Sequence, residues 1–184
     1  IIADYGADSV RFFILSDSPP EKDVQWSEQG IASSLKFIQK LWNLNLKFIT
    51  EIKKNNSSDS DNEIEKFTNK FIKKITNDLE NFHYNVIIAG MHQMCSYLNK
   101  QIEKGYTKVS LIENYKKILI AINPVLPHFS NECLEMIGNN HVMKWPSYNE
   151  EIIKENEAII VLQINGKKKG INKIKKDLDE NEIF

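Results

Sequence analysis

This 184-residue chain is poor in cysteine, in arginine and in long apolar runs, and each shortage narrows what the protein can be. Its two cysteines, Cys95 and Cys133, form no CxxC pair, so the sequence offers no disulfide framework. His92 lies three residues before Cys95, but two ligands leave a zinc site incomplete, and we expect no metal site. No apolar run reaches the roughly 18 to 20 residues that cross a bilayer, and the first residues do not resemble a signal peptide. The sequence therefore predicts a cytoplasmic protein without a membrane segment.

The net charge of the whole chain, by contrast, does not indicate a partner. Lysine and arginine number 24 against 25 aspartates and glutamates, and the formal net charge is -1. A nucleic-acid partner must then be argued from the distribution of charge rather than from its sum. Arg11 is the single arginine, whereas isoleucine, asparagine and lysine are abundant, a bias typical of AT-rich codons. Abundant lysine alone is therefore weak evidence for RNA binding.

The first helical pattern follows Gly6 and places Val10, Phe13 and Ile14 on one face. Arg11 lies between these apolar positions, where it either pairs with a nearby carboxylate or contacts a ligand. Two consecutive prolines at 19 and 20 end the pattern, because proline lacks an N–H and restricts the residue before it. A rigid link is predicted there.

A long helix is predicted after Ser27, a favourable N-cap residue. Two neighbouring apolar lines predict a buried stripe wide enough to contact more than one helix. These lines consist of Ile31, Leu35, Ile38, Trp42, Ile49 and Ile52, and of Ser34, Phe37, Leu41, Leu44 and Phe48. Lys36, Lys40 and Lys47 fall on the remaining surface, where they either contact phosphate or keep the helix soluble.

The polar segment 53–62 is predicted to be a flexible loop, since it has no apolar residue to bury. An apolar stripe at helical spacing follows it, formed by Ile64, Phe67, Phe71, Ile75, Leu79 and Phe82. Asn85 is the expected N-cap of the next helix, whose apolar face carries Ile88, Met91, Cys95, Leu98 and Ile102.

A further helix is predicted from a capping box formed by Ser110 and Glu113. Pro124 and Pro127 interrupt the pattern before a last helix, which Gly138 closes. The predicted fold class is thus mainly α, an antiparallel helical bundle.

The tail changes character, because the β-branched run at 158–164 is followed at once by Asn165-Gly166, a strong hairpin signal. The return arm is rich in lysine: Lys167, Lys168, Lys169, Lys173, Lys175 and Lys176. Such a cluster binds phosphates by counterion release, or it protects an edge strand from aggregation. We expect a small α+β element that is truncated at the end of the chain.

Four segments in this order resemble one family. They are PPEKDVQWS at 19–27, NPVLPHF at 123–129, WP at 145–146 and VLQINGK at 161–167. Together they are similar to the bacterial-type leucyl-tRNA synthetases, a branch of the class I aminoacyl-tRNA synthetases. The proline-rich run distinguishes this branch from the isoleucyl and valyl enzymes. The opening Ile1-Ile2 lacks an initiator Met, which suggests a piece excised from a longer protein.

The resemblance implies a leucine-tRNA ligase as the full-length protein, with ATP and Mg as its cofactors. Both ATP-binding signatures would precede Ile1, so no catalytic residue and no cofactor site is expected in this segment. The implied domains are a junction from the catalytic core at 1–26, a helical tRNA domain of the anticodon-binding type at 27–145, and the start of a C-terminal α+β domain at 146–184. The implied partners are tRNA(Leu) and the catalytic core of the same polypeptide, in a monomer.

The resemblance also implies that this segment positions tRNA through its phosphates, without reading the anticodon. The candidate contacts are Arg11, Lys36, Lys40, Lys66, Lys70, Lys73, Lys167, Lys168 and Lys169. Trp42 and Trp145 are assigned to the core rather than to base stacking. Two alternatives remain, a different class I synthetase specific for isoleucine or valine, and a helical interaction module attached to no enzyme.

Overall fold

The computed structural model describes residues 1–17, 21–54, 62–102, 108–138, 144–154, 157–164 and 167–175. The predicted proline link, the middle of the predicted loop at 53–62, the Asn165-Gly166 turn and the acidic tail lie outside the described residues. The chain divides into two compact units, Ile1–Asn149 and Glu150–Phe184, called here the helical unit and the hairpin unit.

The helical unit contains seven helices within the described residues, and the predicted mainly helical fold is confirmed. They are α1 (Ile2–Tyr5), α2 (Ala7–Asp17), α3 (Glu28–Lys54), α4 (Asn62–Glu80), α5 (Tyr84–Ile102), α6 (Lys108–Ile122) and α7 (Pro127–Met136). Helix α3 contacts α2, α5, α6 and α7, while α4 packs between α5 and α6.

Helix α2 buries a different face from the one that the sequence predicted. Gly6, at φ +79°, separates α1 from α2, as expected of a glycine in the left-handed region. Phe12 and Phe13 are both buried, whereas Ile14 is 48% exposed and its predicted burial is wrong. The reason is that α2 contacts both α3 and α5. Phe12 packs on Phe37 of α3, and Phe13 packs edge-on against Trp26.

Helix α3 begins as predicted, because the Ser27 hydroxyl accepts a hydrogen bond from the Gly30 N–H at 3.1 Å. The apolar line from Ser34 to Phe48 is fully buried, and the line through Ile38 and Trp42 is half-buried beside it. Gly30 lies where α2 crosses, and a Cβ at this position would be 2.4 Å from Phe13 Cε2. Glycine therefore allows the two helices to approach.

A three-residue turn at 81–83 joins α4 to α5, and two predictions fail here. Phe82 was expected to extend the buried stripe of α4, but it follows the helix at φ +58° and is 59% exposed. Asn85 was expected to cap α5, but α5 begins at Tyr84 and its first turn bonds to the His83 carbonyl. A stripe in sequence does not show where a helix stops.

Helices α6 and α7 form the other side of the bundle. The predicted capping box is wrong, since α6 begins at Lys108 and Ser110 lies inside its first turn. Pro127 occupies the first turn of α7, where its missing N–H is harmless, and Gly138 follows that helix at φ +76°. The proline interruption predicted between these helices is confirmed.

Residues 144–149 belong to the helical unit, although the predicted boundary falls at 145. Pro146 is buried, and the Asn149 N–H donates to Asn69 Oδ1 at 2.7 Å. Trp145 donates from Nε1 to Thr76 Oγ1 at 3.0 Å but remains 43% exposed, so its predicted place in the core is wrong. The domain limits at 26 and 145 remain predictions.

The hairpin unit contains the short helix α8 (Glu150–Ile153) and the antiparallel strands β1 (Glu157–Ile164) and β2 (Lys167–Lys175). The predicted hairpin is therefore confirmed in its strands. Leu162 pairs with Gly170 but Gln163 pairs with Lys168, which leaves Lys169 as the extra residue of a bulge.

Candidate nucleic-acid interface

A polar cleft of about 630 Å³ lies between α3 and α5. It is lined by Lys36, Gln39, Lys40, Asn43, Leu44, Lys47, Ser96, Asn99 and Lys100. Four of these nine residues are lysines, and the others include three side-chain amides and a hydroxyl, all of them groups that bond to phosphate or sugar oxygens. We call it the lysine cleft.

The lysine cleft is basic although the whole chain is nearly neutral. The described residues that line it include no carboxylate, and the sequence of α5 contains no aspartate or glutamate at all. None of the four cleft lysines forms an ion pair with a carboxylate in the described ranges. Their charge therefore remains available to an anion. The excess of acidic residues that makes the whole chain net negative lies elsewhere.

Helix geometry explains why these side chains meet. Lys36, Lys40 and Lys47 are separated by four and seven residues, so they follow one side of α3. Leu44 and its apolar neighbours turn toward the core and hold α3 against α5. On α5, the Asn99 amide donates to the Cys95 carbonyl at 2.9 Å, which fixes its orientation at the edge of the cleft.

His92 lies beside the lysine cleft on α5 and is exposed. Its ring is 4.0 Å from that of Phe37 and 5.9 Å from that of Phe12, centroid to centroid. Partial burial, and then the charge of Lys40, lower the pKa of His92 below its usual value. The imidazole is therefore mainly neutral at neutral pH, and Lys40 lies close enough to act on it.

Arg11 has a structural role in the helical unit that the sequence did not predict. Its guanidinium donates to the Pro124 carbonyl at 2.6 Å and to the Val125 carbonyl at 3.2 Å, not to the carboxylate that the sequence suggested. One turn earlier, Asp8 accepts from the Phe129 N–H at 2.7 Å. These two side chains of α2 therefore hold the junction between α6 and α7. The role of Arg11 in RNA contact stays a prediction.

The remaining candidate lysines do not line the cleft. Lys66 and Lys70 are half-buried on α4, and Lys73 is exposed there. Lys167, Lys168 and Lys169 lie on β2, where the structure describes the backbone alone. Lys36 and Lys40 of the predicted set are thus joined by Lys47, which the sequence analysis placed on the same surface of α3, and by Lys100 of α5, which it missed.

A second groove, of about 660 Å³, lies between α3 and α7 and differs in character. Trp42 and Phe129 line it with their rings edge to face, 6.4 Å apart. Trp42 is half-buried and packs against the core, in agreement with its predicted place. His128 and Glu132 are its titratable residues, so this groove lacks the positive charge of the lysine cleft.

The two cysteines are both free and buried. Burial raises the pKa of Cys133 to about 12, with Glu132 adding to the shift, so its thiol stays protonated at neutral pH. In the described ranges no three His, Cys, Asp or Glu side chains are grouped closely enough to hold a metal ion. The helices within those ranges also include none long and apolar enough to span a membrane.

Comparison with known proteins agrees with the helical bundle. Residues 61–184 match the family model of the anticodon-binding domain of tRNA ligase, so the chain belongs to that family. Over its whole length it is 33% identical to the leucine-tRNA ligase of Allorhizobium ampelinum and 36% identical to that of Fervidobacterium nodosum. The predicted resemblance is confirmed. The chain spans 22% and 24% of the length of these two relatives.

The fold is also found in a solved structure. A crystal structure of the ternary complex of Agrobacterium radiobacter K84 agnB2 LeuRS, tRNA and LeuAMS matches 99% of this chain with a TM-score of 0.82. The match covers 25% of that protein, at 23% sequence identity, and so concerns the fold.

Proposed function

We propose that this chain is the non-catalytic part of a leucine-tRNA ligase that positions tRNA(Leu) on the enzyme. The lysine cleft is the observation that carries the proposal, because the described residues that line it offer four cations and no carboxylate to a polyanion. Similarity to leucine-tRNA ligases over the entire chain supports the choice of amino acid. Phosphate contacts of this kind orient an RNA without reading its sequence.

Lys36, Lys40, Lys47 and Lys100 supply these contacts in the proposal, and the amides of the cleft add hydrogen bonds to sugar and phosphate. Additional predicted RNA contacts lie outside the cleft. They are Lys66, Lys70 and Lys73 on α4 and Lys167, Lys168 and Lys169 on β2. ATP and Mg belong in this proposal to the catalytic core of the same polypeptide. The free thiols support a reducing, cytoplasmic setting for the enzyme, which we propose to be monomeric.

Charging of tRNA by a full-length ligase that contains this chain tests the proposal. We expect leucine to be charged, and isoleucine and valine not to be. Changing Lys36 and Lys40 to alanine should raise the KM for tRNA and leave kcat and the KM for leucine unchanged, since the change removes uniform binding of one substrate. Charging with isoleucine or valine, or an unchanged KM for tRNA, would contradict the proposal.

A further inference from the structure

The lysine cleft continues into a second hollow on the outer side of α5. This hollow, of about 430 Å³, is lined by His92, Gln93, Ser96, Tyr97 and Lys100. Ser96 and Lys100 line both spaces, so the two spaces adjoin along α5. We call the second space the α5 hollow.

The two neighbouring spaces differ in chemistry. The lysine cleft offers mainly cations and amides, whereas the α5 hollow adds two rings and one amide to the Ser96 hydroxyl and the Lys100 cation that the two spaces share. Tyr97 is held flat against Phe67 of α4, with centroids 3.8 Å apart and planes 10° apart. The His92 ring packs against Phe37, so the rings of His92 and Tyr97 each contact a phenylalanine ring. Supported rings lose little freedom when a ligand stacks on them.

We propose that the α5 hollow binds the base of an unpaired RNA nucleotide whose phosphates lie in the lysine cleft; this inference rests on the proposed function of that cleft. RNA-binding proteins recognise unstacked nucleotides by stacking the base on aromatic or imidazole rings and bonding its edge. His92 is the stacking platform, and Gln93 is the group that bonds to the edge of the base. A fully paired helix presents no such base.

The neutral state of His92 suits this role. An uncharged imidazole stacks on a base without the cost of desolvating a cation. Lys40 already supplies charge beside it. In this proposal the lysines contribute the salt-dependent part of the affinity, and His92 contributes a part that salt does not change.

Binding of labelled RNA hairpins to the full chain tests this inference. Three hairpins are compared: one with a single-nucleotide bulge, one in which that bulged nucleotide is abasic, and one fully paired. We expect the first to bind about tenfold more tightly than the other two, the usual order for one base stacked on a protein ring. His92→Ala should abolish this preference, and His92→Phe should keep it because phenylalanine also stacks.

Two control variants separate the parts of the site. Lys36→Ala should weaken all three hairpins alike and reduce the slope of log affinity against log salt by about one. His128→Ala, an exposed histidine in the groove between α3 and α7, should change nothing. Circular dichroism of each variant establishes that the bundle is folded.

The outcomes are distinct. If wild type binds the three hairpins equally, or if His92→Ala retains the preference, the α5 hollow does not bind a base, while the proposed function stands. If wild type shows no salt-dependent binding of any hairpin, both proposals are wrong. A bulged 4-thiouridine should also crosslink under ultraviolet light within residues 92–100, and a crosslink confined to other peptides would contradict the inference.

Discussion

The lysine cleft and strand β2 both concentrate lysines, but by different routes. On β2 the cluster is contiguous in sequence, with three lysines in a row at its start. In the cleft, Lys47 and Lys100 are more than fifty residues apart and meet because α3 packs on α5. The lysines of β2 are close together even in the unfolded chain, whereas those of α3 and α5 meet only in the folded state. The cleft should therefore be the more specific site for a folded RNA.

The largest expected effect comes from removing each cluster in turn. Lys36, Lys40 and Lys47→Ala should weaken tRNA binding on the order of tenfold to hundredfold and lower the salt slope by about three. Lys167, Lys168 and Lys169→Ala should have a smaller effect. Both are measured by fluorescence anisotropy between 50 and 300 mM salt. Equal losses of affinity, or a larger loss for the β2 variant, would show that the hairpin contributes at least as much to tRNA binding as the lysine cleft.

Next in size is a change at the junction of α6 and α7, which α2 holds. Asp8→Ala removes the acceptor of the Phe129 and His128 N–H groups at the start of α7. Loss of such a cap should lower the free energy of unfolding by up to about 2 kcal/mol. Urea denaturation measures it, with Asp4→Ala on the short helix α1 as a control, since Asp4 is 73% exposed. A result in which Asp8→Ala is no more destabilising than Asp4→Ala would contradict the role of α2.

A pair of glycine changes tests the packing of the cleft helices more finely. Gly30→Ala would put a Cβ 2.4 Å from Phe13 Cε2, whereas Gly90→Ala would meet Phe71 Cε2 at an ordinary 3.9 Å. Overpacking costs about 1 to 3 kcal/mol, and alanine recovers about 1 kcal/mol through helix propensity. Gly30→Ala should thus destabilise the bundle by about 1 kcal/mol, and Gly90→Ala should be neutral or stabilising. Thermal unfolding measures both, and the opposite order would be inconsistent with the close crossing of α2 and α3.

The smallest effect concerns pH. Because the folded state lowers the pKa of His92, the unfolded chain binds more protons near pH 6.5, the ordinary value for histidine. The free energy of unfolding should fall as pH drops through 6.5, and this contribution should level off below the pKa of the folded state. His92→Gln should remove that part of the slope, which urea titrations at several pH values measure. An unchanged slope would mean that His92 is as solvated as in the unfolded chain.

Sequence patterns predicted much of the scaffold and only part of the site. The stripe of α3, the Ser27 cap and the hairpin strands could be predicted because they depend on local periodicity and turn residues. The place of Lys100 in the cleft could not be predicted, since no local signal shows that α5 faces α3. The predicted burial of Ile14 failed for the same reason: α2 contacts α3, α5 and α7, whereas a single amphipathic face describes contact with one helix, and Phe12 is buried instead.

The contacts of α2 with the junction of α6 and α7 also concern the time at which the bundle is completed. Arg11 and Asp8 bond to residues that follow them by 113 to 121 positions. During synthesis, α2 is made before α6 and α7 and has no partner for these two side chains until residue 129 has left the ribosome. Contacts of such long range carry a large loop-closure cost and form late. We therefore expect the bonds of Arg11 and Asp8 to form late, whereas Phe12 of the same helix can pack on Phe37 as soon as α3 has been made.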